Sequence, residues 1–284
     1  MPIAYDSVGS VPGLEQLAAG KIDMAASDIP AQRDAAVSQM DMLHIPTVVG
    51  GVVPVYNLAG ESQGLDLTPE LLADIFSGKL HKWNDPRIRQ WNKGAHLPDA
   101  EIVVVHRSDG SGTTYVWTSF LAQVSADWKA RVGASVEWPV GVGAAGNEGV
   151  AEQVAKTPNS IAYVELTFAF QHRMTCAAVR NPAGRFIQAD IASLAAAVAT
   201  HTHTGEDDLR FSVLNTPARD AYPISTFTWL LVPRTNSDPQ KRAAEARFLR
   251  WMLTTGQKQC ASLGYAPLPA QVVREEMQAV DAMK

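Results

Sequence analysis

The segment from Val103 to Leu121, VVVHRSDGSGTTYVWTSFL, constrains the fold more than any other part of this chain. Its run of valines predicts a buried strand, and the glycine-punctuated loop that follows opens a helical pattern. At such a junction the first N–H groups of the helix are free and the positive end of its dipole points outward. Gly112 lets the backbone approach a bound group, while Ser111 and Thr113 add hydroxyls. The segment therefore predicts an anion-binding site.

Two charged residues stand beside this loop. Arg107 precedes it and offers a planar fork of donors suited to a tetrahedral oxyanion, and Asp109 is placed to hold that fork. No Lys follows Gly112, which argues against a nucleotide P-loop, and the order Asp-Gly-Ser-Gly does not match the G-x-S-x-G elbow of hydrolases. A glycine-rich turn that merely caps a helix is the competing interpretation.

A second helix start lies near the amino terminus. Ser10 stands at the N-cap position of a predicted helix that ends at Gly20. A short predicted strand then delivers Asp28 at its carboxyl end, the edge where ligands bind in open α/β sheets. For Asp28 alone, an Asx turn or cap is the alternative.

A third glycine-rich loop precedes a helix predicted from about Asn147, and the strand IAYVE follows that helix. This helix start could face the same cleft as the other two. Such loops are commonly connections only, and the sequence leaves both interpretations open.

Two long apolar segments predict strands that cross between domains. Met42 to Gly60 is rich in valine and contains Gly50 and Gly51, where a bend is expected, and Asp220 to Thr235 repeats the extended apolar pattern. Further helices are predicted after a Thr68 cap, from Pro239 after a Ser237 or Asp238 cap, from Thr255 and from Pro269. The alternation of strands and helices indicates an α/β fold.

Composition bounds the class of partner. The chain of 284 residues is 46% hydrophobic and 19% charged, which suffices for a sizeable core in one large or two medium domains. A net charge of −5 argues against nucleic acid or an anionic membrane, whereas a small anion can still be held by local amides and one arginine. No apolar run reaches the length of a membrane-spanning helix, and the start MPIAYDSVGS lacks the pattern of a signal peptide.

Cysteine and histidine add little. Cys176, in a predicted strand, and Cys260, in a predicted helix, are expected to be buried free thiols, although a bridge between them is not excluded. His201 and His203 form a close pair, but two ligands are too few for a metal site. No metal and no cofactor are predicted.

Five segments, in this order, carry a resemblance to a known family. They are GSVPGLEQLAAGKIDMAASDIP, IPTVVGGVVPVYN, HRSDGSGTT, WPVGVGAAGNEGVAEQV with IAYVE, and YPISTFTWLLV. Over nearly its whole length the chain resembles the PstS-type phosphate-binding proteins of phosphate ABC transporters. The resemblance implies a two-lobed α/β fold of the periplasmic-binding-protein type II, with two crossover strands as the hinge. Lobe I would comprise residues 1–51 and 225–284, and lobe II residues 52–224.

The resemblance also implies a site for inorganic phosphate. The family's ligand positions fall on Ser10, Asp28, Arg107, Ser111, Gly112 and Thr113, and its arginine-orienting acid falls on Asp109. It implies a periplasmic solute receptor that has no catalytic residues and docks on an inner-membrane phosphate permease. The acid at position 28 would select phosphate, because phosphate at neutral pH has a P–OH to donate and sulfate has none.

One departure from the family pattern bears on affinity. Members begin with a signal peptide and a glycine-rich first strand and helix that also contact phosphate, whereas this chain opens at Met1 in what would be the second strand. The first lobe is therefore expected to be incompletely covered and phosphate binding to be weaker. Two other functions stay open: a phosphate sensor or surface-binding protein without transport, and, less favoured because no base stands beside a nucleophile, a phosphatase.

Overall fold

The structure is a computed structural model that describes residues 3–30, 37–60, 64–199, 212–234 and 238–283. The strands are β1 (Ala25–Ser27), β2 (Met42–Asn57), β3 (Asp66–Leu67), β4 (Val103–Arg107), β5 (Val142–Ala144), β6 (Ser160–Glu165), β7 (Thr175–Cys176), β8 (Ala178–Arg180), β9 (Phe186–Ile187) and β10 (Ser225–Pro233). The helices are α1 (Ser10–Ala18), α2 (Pro69–Phe76), α3 (Pro86–Arg89), α4 (Gly112–Val124), α5 (Gly146–Lys156), α6 (Leu166–Gln171), α7 (Ile191–Ala199), α8 (Pro239–Thr254) and α9 (Ala270–Asp281).

The long strand β2 connects the two halves of a seven-stranded sheet, whose order is β1-β10-β2-β6-β4-β5 with β7 also paired to β2. The first part of β2, up to Gly51, pairs antiparallel with β10, and the part from Val52 onward pairs antiparallel with β6. Strand β4 runs parallel to β6 and to β5, and a separate small sheet has the order β3-β8-β9. The predicted α/β class is confirmed.

Gly50 and Gly51 lie where β2 changes partner, and the strand runs through them without interruption. A Cβ added at Gly51 would lie 2.9 Å from a methyl group of Leu194 on α7. One added at Gly50 would lie 3.5 Å from the ring of Tyr265 and 3.6 Å from Oε1 of Glu165. The two glycines therefore make room for side chains that pack across the change of partner.

Most predicted helices are confirmed, but two details are wrong. Helix α1 begins at Ser10 with Gly9 as its N-cap, because Gly9 adopts the positive φ of 88° and the Ser10 hydroxyl is engaged elsewhere. The helix predicted from Thr255 is replaced by two 3-10 turns, Gly256–Gln259 and Ala261–Leu263. A glycine directly after Thr255 weakens helix continuation, which accounts for the difference.

The two cysteines are free thiols, with Cys260 buried and Cys176 half-buried. The pair His201 and His203 lies outside the described residues. Within the described segments, no group of three or more His, Cys, Asp or Glu side chains could hold a metal ion. None of the described helices combines the length and apolar character needed to cross a membrane.

An aromatic core supports the segment from Val103 to Leu121. The ring of Tyr163 on β6 stacks on Trp117 of α4 with centroids 5.1 Å apart, and Phe76 of α2 meets Trp117 edge-on at 5.0 Å. All three side chains are fully buried. Because such pairs pack in defined geometries, they fix α4 against the sheet and thereby place the loop before it.

Glu276 on α9 provides a test of the core. Its side chain is 1% exposed and Oε1 has no hydrogen-bond partner among the described residues; burial, with repulsion from Glu275, raises its pKa to about 9. At neutral pH the folded state therefore keeps a proton on Glu276 that the unfolded state releases. As a result, the free energy of unfolding falls as pH rises from the ordinary glutamate pKa to about 9. We expect Glu276→Gln to raise the free energy of unfolding at neutral pH by about 1–3 kcal/mol and to have little effect at acidic pH. Urea unfolding at the two pH values measures this, and equal stability at neutral pH would contradict it.

Candidate anion-binding site

Ser10 and Asp28 meet at the start of α1. The Ser10 hydroxyl accepts a hydrogen bond from the Asp28 N–H at 3.3 Å. The carboxylate of Asp28 is held from the other side, because the hydroxyl of Thr228 on β10 donates to Oδ1 at 2.6 Å. Thr228 therefore fixes one oxygen of Asp28 and leaves Oδ2 to face the interior of the site.

The loop before α4 presents a second helix start. Ser111 is the N-cap of α4, and its hydroxyl accepts from the N–H of Thr114 at 3.1 Å. The Ser111 N–H itself donates to the carbonyl of Ala134 at 2.9 Å. The contribution that Ser111 can make to a ligand is thus its hydroxyl proton, whereas Gly112 and Thr113 contribute the N–H groups of the first helical turn.

Gly112 is the point at which the two helix starts come together. A Cβ added there would lie 2.3 Å from the Ser10 hydroxyl and 3.0 Å from both Cβ and Oδ2 of Asp28. A Cβ added at Gly110 would likewise lie 3.0 Å from Val11 of α1. The tertiary structure thereby brings Ser10, Asp28 and the α4 loop, which are far apart in sequence, into direct contact.

Arg107 lies at the end of β4 and its side chain is 6% exposed. Its Nε donates to Oδ1 of Asp109 at 2.7 Å, its second donor bonds Oδ2, and the Gly146 N–H at the start of α5 donates to the same Oδ1 at 3.0 Å. Burial alone would raise the pKa of Asp109, but the hydrogen bonds from Arg107 and Gly146 outweigh it and the pKa lies below its usual value. Asp109 is therefore a carboxylate that holds the guanidinium, and the third helix start serves to hold Asp109.

The pKa of Asp28 is shifted in the opposite direction to that of Asp109. Desolvation by the surrounding protein raises its pKa, although the Thr228 hydrogen bond and attraction to the Arg107 guanidinium act to lower it. The attraction to Arg107 indicates that the end of β4 lies near the end of β1. A buried carboxyl with a raised pKa is suited to share a proton with an anion that carries one.

The cleft itself has a volume of about 700 Å³ and reaches Ser10, Asp28 and Thr113. It is also lined by Asn147, at the third predicted helix start, and by Glu165 and Thr228, which the sequence did not single out. Asn147 donates from Nδ2 to the Thr113 hydroxyl at 3.5 Å and accepts at Oδ1 from the Glu165 N–H at 3.3 Å. The sequence signal for Asn147 is its position at the start of a helix, and the signal for Glu165 is its position at the end of a strand.

Tyr163 is a further missed residue, and it joins the two sides of the anion loop. Its hydroxyl accepts from the Arg107 N–H at 3.2 Å and shares a hydrogen bond of 2.7 Å with the Thr114 hydroxyl. Burial raises the pKa of Tyr163 to about 12, so the hydroxyl stays neutral. It ties the end of β4 to the first turn of α4.

We expect Tyr163→Phe to destabilise the fold by about 1–3 kcal/mol, because the buried Arg107 N–H loses its acceptor, and to weaken anion binding several-fold. Tyr222→Phe is the matched control, since that buried hydroxyl donates to the carbonyl of Val52 at 2.9 Å instead of supporting the loop. Urea unfolding and anion titration of both variants separate the two effects. Equal losses of affinity in the two variants would contradict a specific role for Tyr163.

Comparison with known proteins places these features in a family. The family model described as a PBP superfamily domain matches residues 1–255. The phosphate-binding protein PstS of Xylella fastidiosa (strain Temecula1) is 43% identical over 276 residues, which are 96% of this chain and 76% of that protein. PstS of Pasteurella multocida (strain Pm70) is 41% identical over 276 residues, covering 96% of this chain and 80% of that protein.

Solved structures show the same fold. The high-affinity periplasmic phosphate-binding protein PfluDING, solved with phosphate, aligns with a TM-score of 0.71 at 21% identity, over 90% of this chain and 78% of that one. A phosphate-binding protein from Stenotrophomonas maltophilia aligns with a TM-score of 0.69 at 18% identity, over 95% of this chain and 85% of that one. Both have the two-lobed fold that the resemblance implied. Given these matches, the chain belongs to the PstS-type phosphate-binding proteins of the PBP superfamily.

Proposed function

We propose that this protein is a solute-binding protein that captures inorganic phosphate in its cleft and delivers it to an ABC transporter permease. The observation that supports this most directly is the close approach of Gly112 to Ser10 and Asp28, which sets two helix starts and a buried carboxyl around one position. Its relatives in Xylella fastidiosa and Pasteurella multocida carry the name phosphate-binding protein PstS.

The proposed ligand set is Ser10, Asp28, Arg107, Ser111, Gly112 and Thr113. The hydroxyls of the three Ser and Thr residues and the N–H groups at the start of α4 donate to phosphate oxygens, and the Arg107 guanidinium supplies positive charge. Asp109 orients that guanidinium through the bonds described above. Asp28 is the carboxylate of the set, so it can accept a hydrogen bond from the P–OH group that phosphate carries.

Capture is proposed to proceed by closure of two lobes about the crossing strands. Lobe I comprises residues 1–51 with 225–284, and lobe II comprises residues 52–224. The change of partner between Gly51 and Val52 on β2 supports this division, as does the start of β10 at Ser225, which pairs with Gly51. Closure would bring Ser10 and Asp28 of the first lobe against the α4 loop of the second.

The proposed location and partner are based on the PstS relatives. We propose that the protein acts in the periplasm and that its partner there is an inner-membrane phosphate permease. It would bind and release phosphate unchanged, as a receptor and not as an enzyme.

Isothermal titration tests the proposal with phosphate as ligand and sulfate as control. We expect saturable binding of phosphate and no binding of sulfate. Absence of phosphate binding by a folded sample would overturn the proposal, and steady turnover of p-nitrophenyl phosphate would favour a phosphatase instead. Co-purification of the protein with a permease tests the transport role separately.

A further inference from the structure

Glu165 is a second carboxyl group in the cleft that holds Asp28. It ends β6 and stands opposite Val52, where β2 changes partner. Its Oε2 accepts from the Thr167 N–H at 3.0 Å and from the Thr167 hydroxyl. Its Oε1 is shielded from solvent and has no hydrogen-bond partner among the described residues. One half of this carboxyl is therefore anchored and the other half is buried without a partner.

Groups from both halves of the sheet enclose the free oxygen. A Cβ at Gly50 on β2 would lie 3.6 Å from Oε1 and 3.5 Å from the ring of Tyr265. Tyr265 is held at β2 by the bridge between its neighbour Ala266 and Val49. The carboxyl of Glu165 thus sits at the crossing between the proposed lobes, where closure changes the access of water.

Hydrogen bonds from the start of α6 help Glu165 to carry a charge, but its titratable neighbours do not. The titratable groups that face it are Asp28 at the end of β1 and Tyr265, while α5 presents Asn147 and α6 presents Thr167, which are neutral. Burial is the largest effect and raises the pKa of Glu165 to about 7, although the hydrogen bonds from Thr167 act to lower it. The charge of Asp28 adds a smaller effect that raises it. At the rim of the cleft, the cation of Lys241 is already paired with Asp23.

A bound phosphate would add a further negative charge to a cleft that already contains the carboxyl groups of Asp28 and Glu165. We propose that Glu165 takes up a proton from solvent when the cleft closes on phosphate, so that the loaded form contains the neutral carboxyl. The proton adds to the carboxylate of Glu165 and no bond of phosphate changes. This inference rests on the proposed function and assigns to that site a second acid, separate from Asp28, that makes phosphate capture depend on pH.

Counting protons during phosphate titration tests the inference. The titration is run in two buffers of different ionisation enthalpy at about pH 8, where phosphate is dianionic and Glu165 is mostly ionised in the free protein. We expect the wild-type protein to take up close to one proton more than Glu165→Gln. Glu148→Gln is the matched control, because it removes the same charge from a carboxylate on α5 that is 59% exposed and paired with His172. Its proton uptake should equal that of the wild type.

A pH series gives a second, independent measure. Between about pH 8 and about pH 9, the wild-type affinity for phosphate should fall about tenfold, and that of Glu165→Gln should fall far less. Equal proton uptake by the wild type and a folded Glu165→Gln would overturn the inference while leaving phosphate binding intact. If the wild-type protein took up almost no protons on binding phosphate, that result alone would overturn the inference. Failure of the wild type to bind phosphate would overturn the proposed function together with the inference.

Discussion

Replacing Gly112 with alanine is expected to weaken phosphate binding about 100-fold or more while changing the stability of the protein little. The added methyl group would overlap the Ser10 hydroxyl, at 2.3 Å, and press on Asp28 at 3.0 Å. This steric clash arises only when the α4 loop lies against α1, so the protein can avoid it by keeping the cleft open. When the cleft closes, the methyl group displaces Ser10 and Asp28, and the hydrogen bonds that these two residues would make to phosphate are lost.

Titration calorimetry with phosphate and thermal unfolding without ligand measure the two parts of this prediction. Gly94→Ala is the matched control, because a Cβ at Gly94 has no heavy atom within 4 Å. It should bind phosphate as the wild type does. Binding by Gly112→Ala within about threefold of the wild type would show that the close approach of the two helix starts is not needed.

Replacing Asp28 with asparagine is expected to remove the discrimination between phosphate and sulfate. The Thr228 hydroxyl donates to Oδ1 of Asp28, so the same bond would hold the amide oxygen of Asn and place its NH₂ group at the Oδ2 position that faces Gly112. The site would then offer a donor where it now offers an acceptor. Phosphate loses the partner for its proton and sulfate no longer meets a buried negative charge.

We expect the ratio of phosphate affinity to sulfate affinity to fall about 100-fold or more in Asp28→Asn, with sulfate binding becoming measurable. Competitive titration of the two anions determines this ratio. Asp23→Asn is the control, because it removes one charge from the rim of the same cleft, where Asp23 pairs with Lys241. A ratio unchanged in Asp28→Asn would mean that selectivity arises from other groups.

Local sequence patterns predicted the part of the site that is contiguous in the chain. The strand that ends at Arg107, the loop and the helix from Gly112 were all expected, because β-branched runs, glycines and helix starts act over a few residues. The interaction of Arg107 with Asp109 was expected for the same reason, since two positions separate them.

Local patterns could not predict contacts between residues that are far apart in the sequence. Thr228 binds Asp28 across 200 positions, and Tyr163 binds Arg107 across 56. The error over the α1 cap has the same origin. Ser10 matched a capping residue locally, but its hydroxyl accepts from Asp28, which β1 delivers from 18 positions away.

Backbone preferences and hydrophobic periodicity act within one segment, so local patterns were enough to predict most helices, the central strands and the loop suited to an anion. The groups that surround that loop could be identified only from the three-dimensional packing. The position of Glu165 beside Asp28, the close approach of Gly112 to Ser10 and the use of the α5 start to hold Asp109 all depend on the pairing of β2 with both β10 and β6. Their physical origin is the packing of segments far apart in the chain, which buries carboxyls and changes their protonation in a way that no single segment can specify.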